Sequence, residues 1–322
     1  LIQDFRKGFR LESPIELRKF RRCYEQIYKV VLEDDDAAIE RKISSCGILV
    51  EDKVFVPQVM LGEDSREGLF EYIRKSFDEG KTAIYYQALF NEFTEDFLDS
   101  FIYNADMLKE YLAYMLKNEY FFGRSYLSKE ADTASAPIDE IRTCLKEYAA
   151  PMAYDAIFEN LTHIPQQKIK QILATNAEFI NNSRGEYFHV SAVHFSDEEL
   201  DNISEIITVA IEDKEFLSGN ELIDAIKSKY PYTYEKNSAF SMVGLRDSIK
   251  YHLGHKFSFS GNIISKIGSS LTMSDVFANY CRGRDSFTLD ELNVLAGELG
   301  TVIYFDPVYE NSLRISNNRF VS

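Results

Sequence analysis

No stretch of the 322-residue sequence approaches the roughly 18–20 uninterrupted apolar residues that a membrane-spanning helix requires, so no membrane partner is expected. No charged segment followed by an apolar core opens the chain, and no secretory signal is read. The first residue is Leu1 rather than Met, which suggests a fragment of something longer. Cysteine is scarce. Cys23, Cys46, Cys144 and Cys281 lie far apart with no Cys-x-x-Cys pair, a pattern of free thiols in a reducing, cytoplasmic setting rather than of disulfides or zinc. Long Gly/Ser linkers are also missing.

Enzyme motifs are missing as well. HExxH, GxSxG and GxGxxG do not occur, so no catalytic residue, metal or cofactor is expected. Gly80-Lys81-Thr82 echoes the end of a phosphate-binding loop, but Lys75 stands where the earlier glycine belongs, and a helix C-cap is the better reading. Glu51-x-Lys53 downstream of Asp34–Asp36 faintly echoes a magnesium-dependent nuclease, yet nothing predicts a surrounding α/β/α sheet. His252 and His255 share a spacing of three without further ligands nearby.

What is present is a long-period pattern. Four segments end in a short apolar or aromatic pair and a serine: Tyr126-Leu127-Ser128, His194-Phe195-Ser196, Ile263-Ile264-Ser265 and Phe320-Val321-Ser322. They are spaced by 68, 69 and 57 residues, and counting back from the first lands on Met60. Solenoid repeats recur at roughly 20–50 residues, whereas a period near this one can hold a small domain with its own core. Periodicity predicts helices over 14–32, 37–45, 69–77, 84–93, 106–116, 138–148, 153–162, 165–174, 197–212, 220–229, 242–253, 274–281 and 289–299. Hairpins are expected around 48–56, 120–127, 179–190, 256–264 and 313–321; in the third, Ala192–Phe195 is an alternative second strand.

The reading is α+β, mainly helical: a tandem array of small winged-helix-like domains, each of three helices and a β-hairpin, packed as an elongated or curved rod. The expected divisions are 1–62, carrying a basic N-terminal helix, then 63–135, 136–196, 197–268 and a short 269–322. With its aromatic C-terminal strands, the pattern over 65–322 resembles the small helix-turn-helix modules of RNA polymerase accessory subunits and restriction enzymes. That resemblance implies duplex DNA binding through the third helix, or protein contacts where that helix has lost its basic residues.

Net charge is −16, but residues 1–32 hold eight Lys/Arg against four Asp/Glu, so a nucleic acid would meet a local basic face. The candidates are Arg18, Lys19, Arg21, Arg22, Arg41 and Lys42 at the N-terminus, Lys168 and Lys170 on one third helix, and Arg246, Lys250 and His252 on another. Arg124, Arg184 and Arg319 sit at hairpin tips. Three readings stay open: a DNA-binding or DNA-complex-associated module, a protein-interaction scaffold whose acidic repeats meet a basic partner, and a regulatory arm of a larger nuclease or helicase. The Tyr230–Tyr234 loop is a candidate protein contact.

Overall fold

Short hairpins and capped helices alternate along the chain, and each hairpin recruits a third strand from upstream. The computed structural model describes residues Leu1–Ala131, Ser135–Ser183 and Gly185–Ser322. Its first block contains β1 (Phe9–Arg10), α1 (Pro14–Tyr28), α2 (Asp36–Ser45), β2 (Ile48–Val50) and β3 (Lys53–Phe55), then a helical turn, α3 (Pro57–Met60). The second contains α4 (Glu63–Asp78), β4 (Ala83–Tyr85), α5 (Tyr86–Glu92), α6 (Thr94–Phe97), α7 (Ala105–Met115), β5 (Phe121–Phe122) and β6 (Tyr126–Ser128). The third contains α8 (Pro137–Tyr148), β7 (Met152–Ala153), α9 (Tyr154–Asn160), α10 (Gln166–Thr175), β8 (Phe179–Ser183) and β9 (Glu186–His189), then a 3-10 turn at Val190–Ala192. The fourth contains α11 (Asp197–Lys214), β10 (Phe216–Ser218), α12 (Gly219–Lys229), α13 (Pro231–Glu235), α14 (Met242–Leu253), β11 (Phe257–Ser260) and β12 (Ile263–Lys266). The fifth contains α15 (Met273–Arg282), β13 (Ser286–Thr288), α16 (Leu289–Glu298), α17 (Phe305–Asn311), β14 (Leu313–Ser316) and β15 (Arg319–Val321).

The protein is α+β and mainly helical, with five small antiparallel sheets among the described residues. Each sheet has three strands in the order first, third, second, an arrangement compatible with winged-helix-like modules. The early strands β1, β4, β7, β10 and β13 were not expected from the sequence. Each is two or three residues long, and β4, β7, β10 and β13 run straight into the next helix, so alternation has no room to register. Ile84 and Tyr85, expected to be helical, belong to β4. Residues 302–304 belong to no helix or strand and precede α17, which begins at Phe305.

The serine pattern holds only in part. Ser128 and Ser265 occupy matching places, opposite Ala83 and Phe216 in their sheets. Ser322 lies just beyond β15. Ser196 is no strand residue: its hydroxyl accepts from Glu199 N–H as the N-cap of α11, in a complete capping box. Met60 ends α3 rather than a strand, because Pro57 opens a helical turn directly after β3. Two-residue turns close several hairpins; Gly261, with φ +58, adopts the left-handed conformation that the turn between Ser260 and Ile263 needs.

The described chain forms two compact units: Leu1–Glu140 with Leu161–Ile169, and Ile141–Asn160 with Lys170–Ser322. Within the first, Ile48 and Phe55 of the first block share one core with Leu69, Ile73, Leu108 and Tyr111 of the second. Within the second, Ile180 and Phe188 share a core with Leu222, Leu245 and Ile249. Burying each such side chain contributes about 1.5–3 kcal/mol, which joins the first block to the second, and the third to the fourth, through a shared core. No helix among the described residues is long and apolar enough to cross a membrane.

Candidate interaction surfaces

Two kinds of junction recur between consecutive blocks. In the first kind, the start of a third helix sits on the preceding hairpin. The N-terminal approach to α7 is fixed by Phe101 N–H donating to Met60 O at 2.8 Å, and α7 packs on β2. The approach to α14 is fixed by Asn182 of β8, whose side-chain oxygen accepts from Ser241 N–H at 2.7 Å. Ser241 Oγ donates back to Asn182 O, and Phe188 and Phe240 meet at 4.6 Å between ring centres. In the second kind, the end of an early strand meets the stretch after a second helix. Tyr85 N–H donates to His163 O at 3.0 Å, and Ser218 Oγ donates to Glu298 O, at the end of α16, at 3.3 Å.

Many of the basic residues singled out in the sequence are engaged by neighbouring groups. Arg21 brackets the segment between α1 and α2, donating to Leu32 O, Asp34 O and Asp36 Oδ1, each at 2.7 Å. Lys42 pairs with Asp34 at 2.8 Å, and Lys19 donates to Asp4 O while lying 4.6 Å from the Phe5 ring centre. Arg246 is held between Asp247 Oδ1 and Asn262 Oδ1, at 2.8 and 2.9 Å, locking α14 to its hairpin turn. Lys168 lies over the Tyr85 ring and Lys170 over Tyr154 and Phe158. His252 is half-buried beside Phe195, and burial pushes its pKa below the ordinary histidine value.

The exposed cations among them are Arg18, Lys19, Arg22, Arg41, Lys42, Lys170 and Lys250. Arg22 and Lys250 have no ion-pair partner among the described residues, while Arg18 and Arg41 donate to carbonyls of their own helices. Arg18 and Arg22 lie one turn apart on α1 and share a face. At the hairpin tips, Arg124 and Arg319 are exposed; Arg184 lies outside the described residues.

The Glu51-x-Lys53 motif forms the β2–β3 turn, with Glu51 at φ +53 and Asp52 paired to Arg10 at 2.9 Å. In the Tyr230–Tyr234 segment, α13 is anchored by Thr233 Oγ1 donating to Glu199 Oε1 at 2.8 Å. Its one well exposed ring is Tyr232, at 74%, with Lys236 Nζ 5.8 Å from the ring centre.

A further surface was not anticipated. Blocks two to five each place a helix before their first strand, namely α4, α8, α11 and α15. In the fourth block that helix packs on α12 and α14, and in the fifth on α17. In the first block α1 and α2 follow β1. Between them runs an open apolar groove of about 850 Å³, lined by Phe20, Tyr24, Ile27, Leu32, Ile39 and Ile43 among others. The sequence signal was there: Leu17, Phe20, Tyr24, Ile27, Tyr28 and Val31 form a stripe longer than one small core can cover. Comparison of the chain with protein-family models and with curated proteins finds no match.

Proposed function

We propose that this chain is a non-catalytic protein-interaction scaffold built of tandem winged-helix-like blocks. The observation that carries this reading is the seating of α7 and α14. A helix that reads duplex DNA brings its N-terminal residues to base edges in the major groove. Here those turns are packed against β2 and β8 of the preceding hairpins. The recognition surface of the even-numbered blocks is thus spent on joining blocks, and the net charge of −16 favours a basic partner. The apolar groove between α1 and α2 is a second place where a partner would gain from burial. The four cysteines form no disulfide, which suits a reducing compartment such as the cytoplasm.

The DNA reading keeps one specific support: Arg18, Arg22 and Arg41 are exposed on α1 and α2. Polarisation of a fluorescent duplex separates the two. The scaffold reading expects no binding at low ionic strength. Binding that falls steeply between 50 and 200 mM salt, and is abolished by Arg18→Glu with Arg22→Glu, supports DNA contact and overturns the scaffold. A regulatory arm of a larger nuclease or helicase is the scaffold reading with the enzyme as partner.

A further inference from the structure

The third block is joined to the fourth by the 3-10 turn Val190–Ala192, between β9 and α11. Val190, Ala192 and Val193 are buried in the core that the two blocks share. A side chain caps the turn: His189 Nδ1 accepts from Ser191 N–H at 3.1 Å. A backbone N–H can only donate, so Nδ1 carries no proton in this arrangement. The Ser191 hydroxyl, 2.7 Å from the same nitrogen, therefore donates to it as well. A neutral imidazole then holds its one proton on Nε2, which donates to Glu178 Oε2 at 3.3 Å.

The surroundings hold the ring in that state. His189 is 6% exposed, with its ring T-shaped against Phe179. Glu178 is fixed just ahead of β8 by two hydrogen bonds of 2.7 Å from Arg142 of α8. Burial pushes the His189 pKa below the ordinary histidine value; Lys146 and Arg142 of α8 add to this, and the Glu178 carboxylate opposes it. These three are the charged groups that face the ring among the described residues. Protonation of Nδ1 would set two donors, the ring N–H and Ser191 N–H, against each other at 3.1 Å. The hydroxyl can turn and accept, but the backbone N–H loses its acceptor.

From this we infer that His189 is a proton-operated latch on the connection between the third and fourth blocks: the neutral imidazole closes the Val190–Ala192 turn, and the imidazolium releases it. The sign follows from linkage. The folded pKa is depressed, so the latch is fully closed above the unfolded value of about 6.5 and opens as pH falls below it. Opening takes up one proton, so each pH unit below that value favours the open turn by about tenfold, until the folded pKa is reached. Glu178 is itself held below the ordinary glutamate range, chiefly by Arg142, and stays ionised over this window. The latch depends on neither the scaffold nor the DNA reading.

The test is hydrogen exchange of the full chain, read by mass spectrometry on peptides covering 188–196 and, as reference, α14. After correction for the intrinsic rate, protection of the turn is expected to fall about tenfold between about pH 7.5 and about pH 5.5, with α14 unchanged. His189→Asn keeps an acceptor at the cap that does not titrate, and should hold protection level over the same range. Ser191→Ala leaves the backbone N–H in place and should respond to pH as the parent does. Equal protection of the turn at the two pH values overturns the latch, and so does the same fall in His189→Asn. An equal fall in α14 also overturns it, since the whole core would then be opening. Nitrogen NMR of the parent checks the premise without any substitution: the Nε2–H tautomer of His189 is expected at about pH 7.5, and the Nδ1–H tautomer overturns the latch.

Discussion

Gly244, in the first turn of α14, lies so close to Asn182 that a Cβ at this position would stand 2.7 Å from Asn182 Oδ1 and 3.0 Å from Phe188 Cε1. The amide cannot swing away freely, because the same oxygen accepts from Ser241 N–H. Alanine ordinarily stabilises a helix over glycine by about 0.5–1 kcal/mol. Here Gly244→Ala is expected to destabilise instead. Asn182→Ala should cost about 1–2 kcal/mol through the lost hydrogen bond. The double variant should be less destabilised than the two single effects added together, because removing the amide makes room for the new methyl. Chemical denaturation of the four proteins checks this; strict additivity would mean that the junction does not couple the two residues.

Arg21 and Arg22 are adjacent and both cationic, yet their expected effects differ. Arg21→Ala removes three hydrogen bonds that hold the segment leading into α2 and should cost about 1–3 kcal/mol, lowering the melting temperature. Arg22→Ala should change stability by no more than about 0.5 kcal/mol. Equal effects would contradict the bracket.

Glu199 gives the fourth block a defined acid response. Burial works to raise its pKa, but donation from Lys236 Nζ, Ser196 N–H and Thr233 Oγ1, together with the Lys236 charge, outweighs burial and holds it at about 2. The folded pKa lies below the unfolded value. The associated stability, on the order of 3 kcal/mol, is therefore complete above the ordinary glutamate range and is lost as pH falls from about 4.5 towards 2. Glu199→Gln should flatten the stability profile over that window. A slope unchanged by the substitution would place the acid sensitivity in other carboxylates.

Thiol chemistry should distinguish the cysteines. Cys46 is exposed, whereas Cys281 is fully buried in the fifth block's core, where burial pushes its thiol pKa up. Because thiolate is the reactive form, an aromatic disulfide reagent should modify Cys46 rapidly and leave Cys281 unmodified until the block unfolds. Mass spectrometry of the labelled peptides checks the order.

Much of the secondary structure was legible because its signals are local. The helix 242–253 expected from periodicity is α14 itself, and the Ser196–Glu199 capping box forms as its spacing implied. The first strand of each sheet was not legible, since two or three residues at a helix entrance carry no period. The candidate cations were chosen by residue type and by their place on expected helices. Sequence gives no sign that Arg21 would be consumed by carbonyls brought from 11 and 13 residues away, or Arg246 by Asn262 of the following hairpin.

By itself the sequence determined the order of helices and hairpins, because capping, turn chemistry and apolar periodicity act over fewer than about ten residues. Tertiary structure alone decided which faces remain open. Whether Leu313 is bare while Ile180 is buried depends on a helix that arrives from more than 60 residues away in the chain, and the two strands look alike when read as letters. Exposure is a property of what packs on a surface, and short-range patterns do not record it.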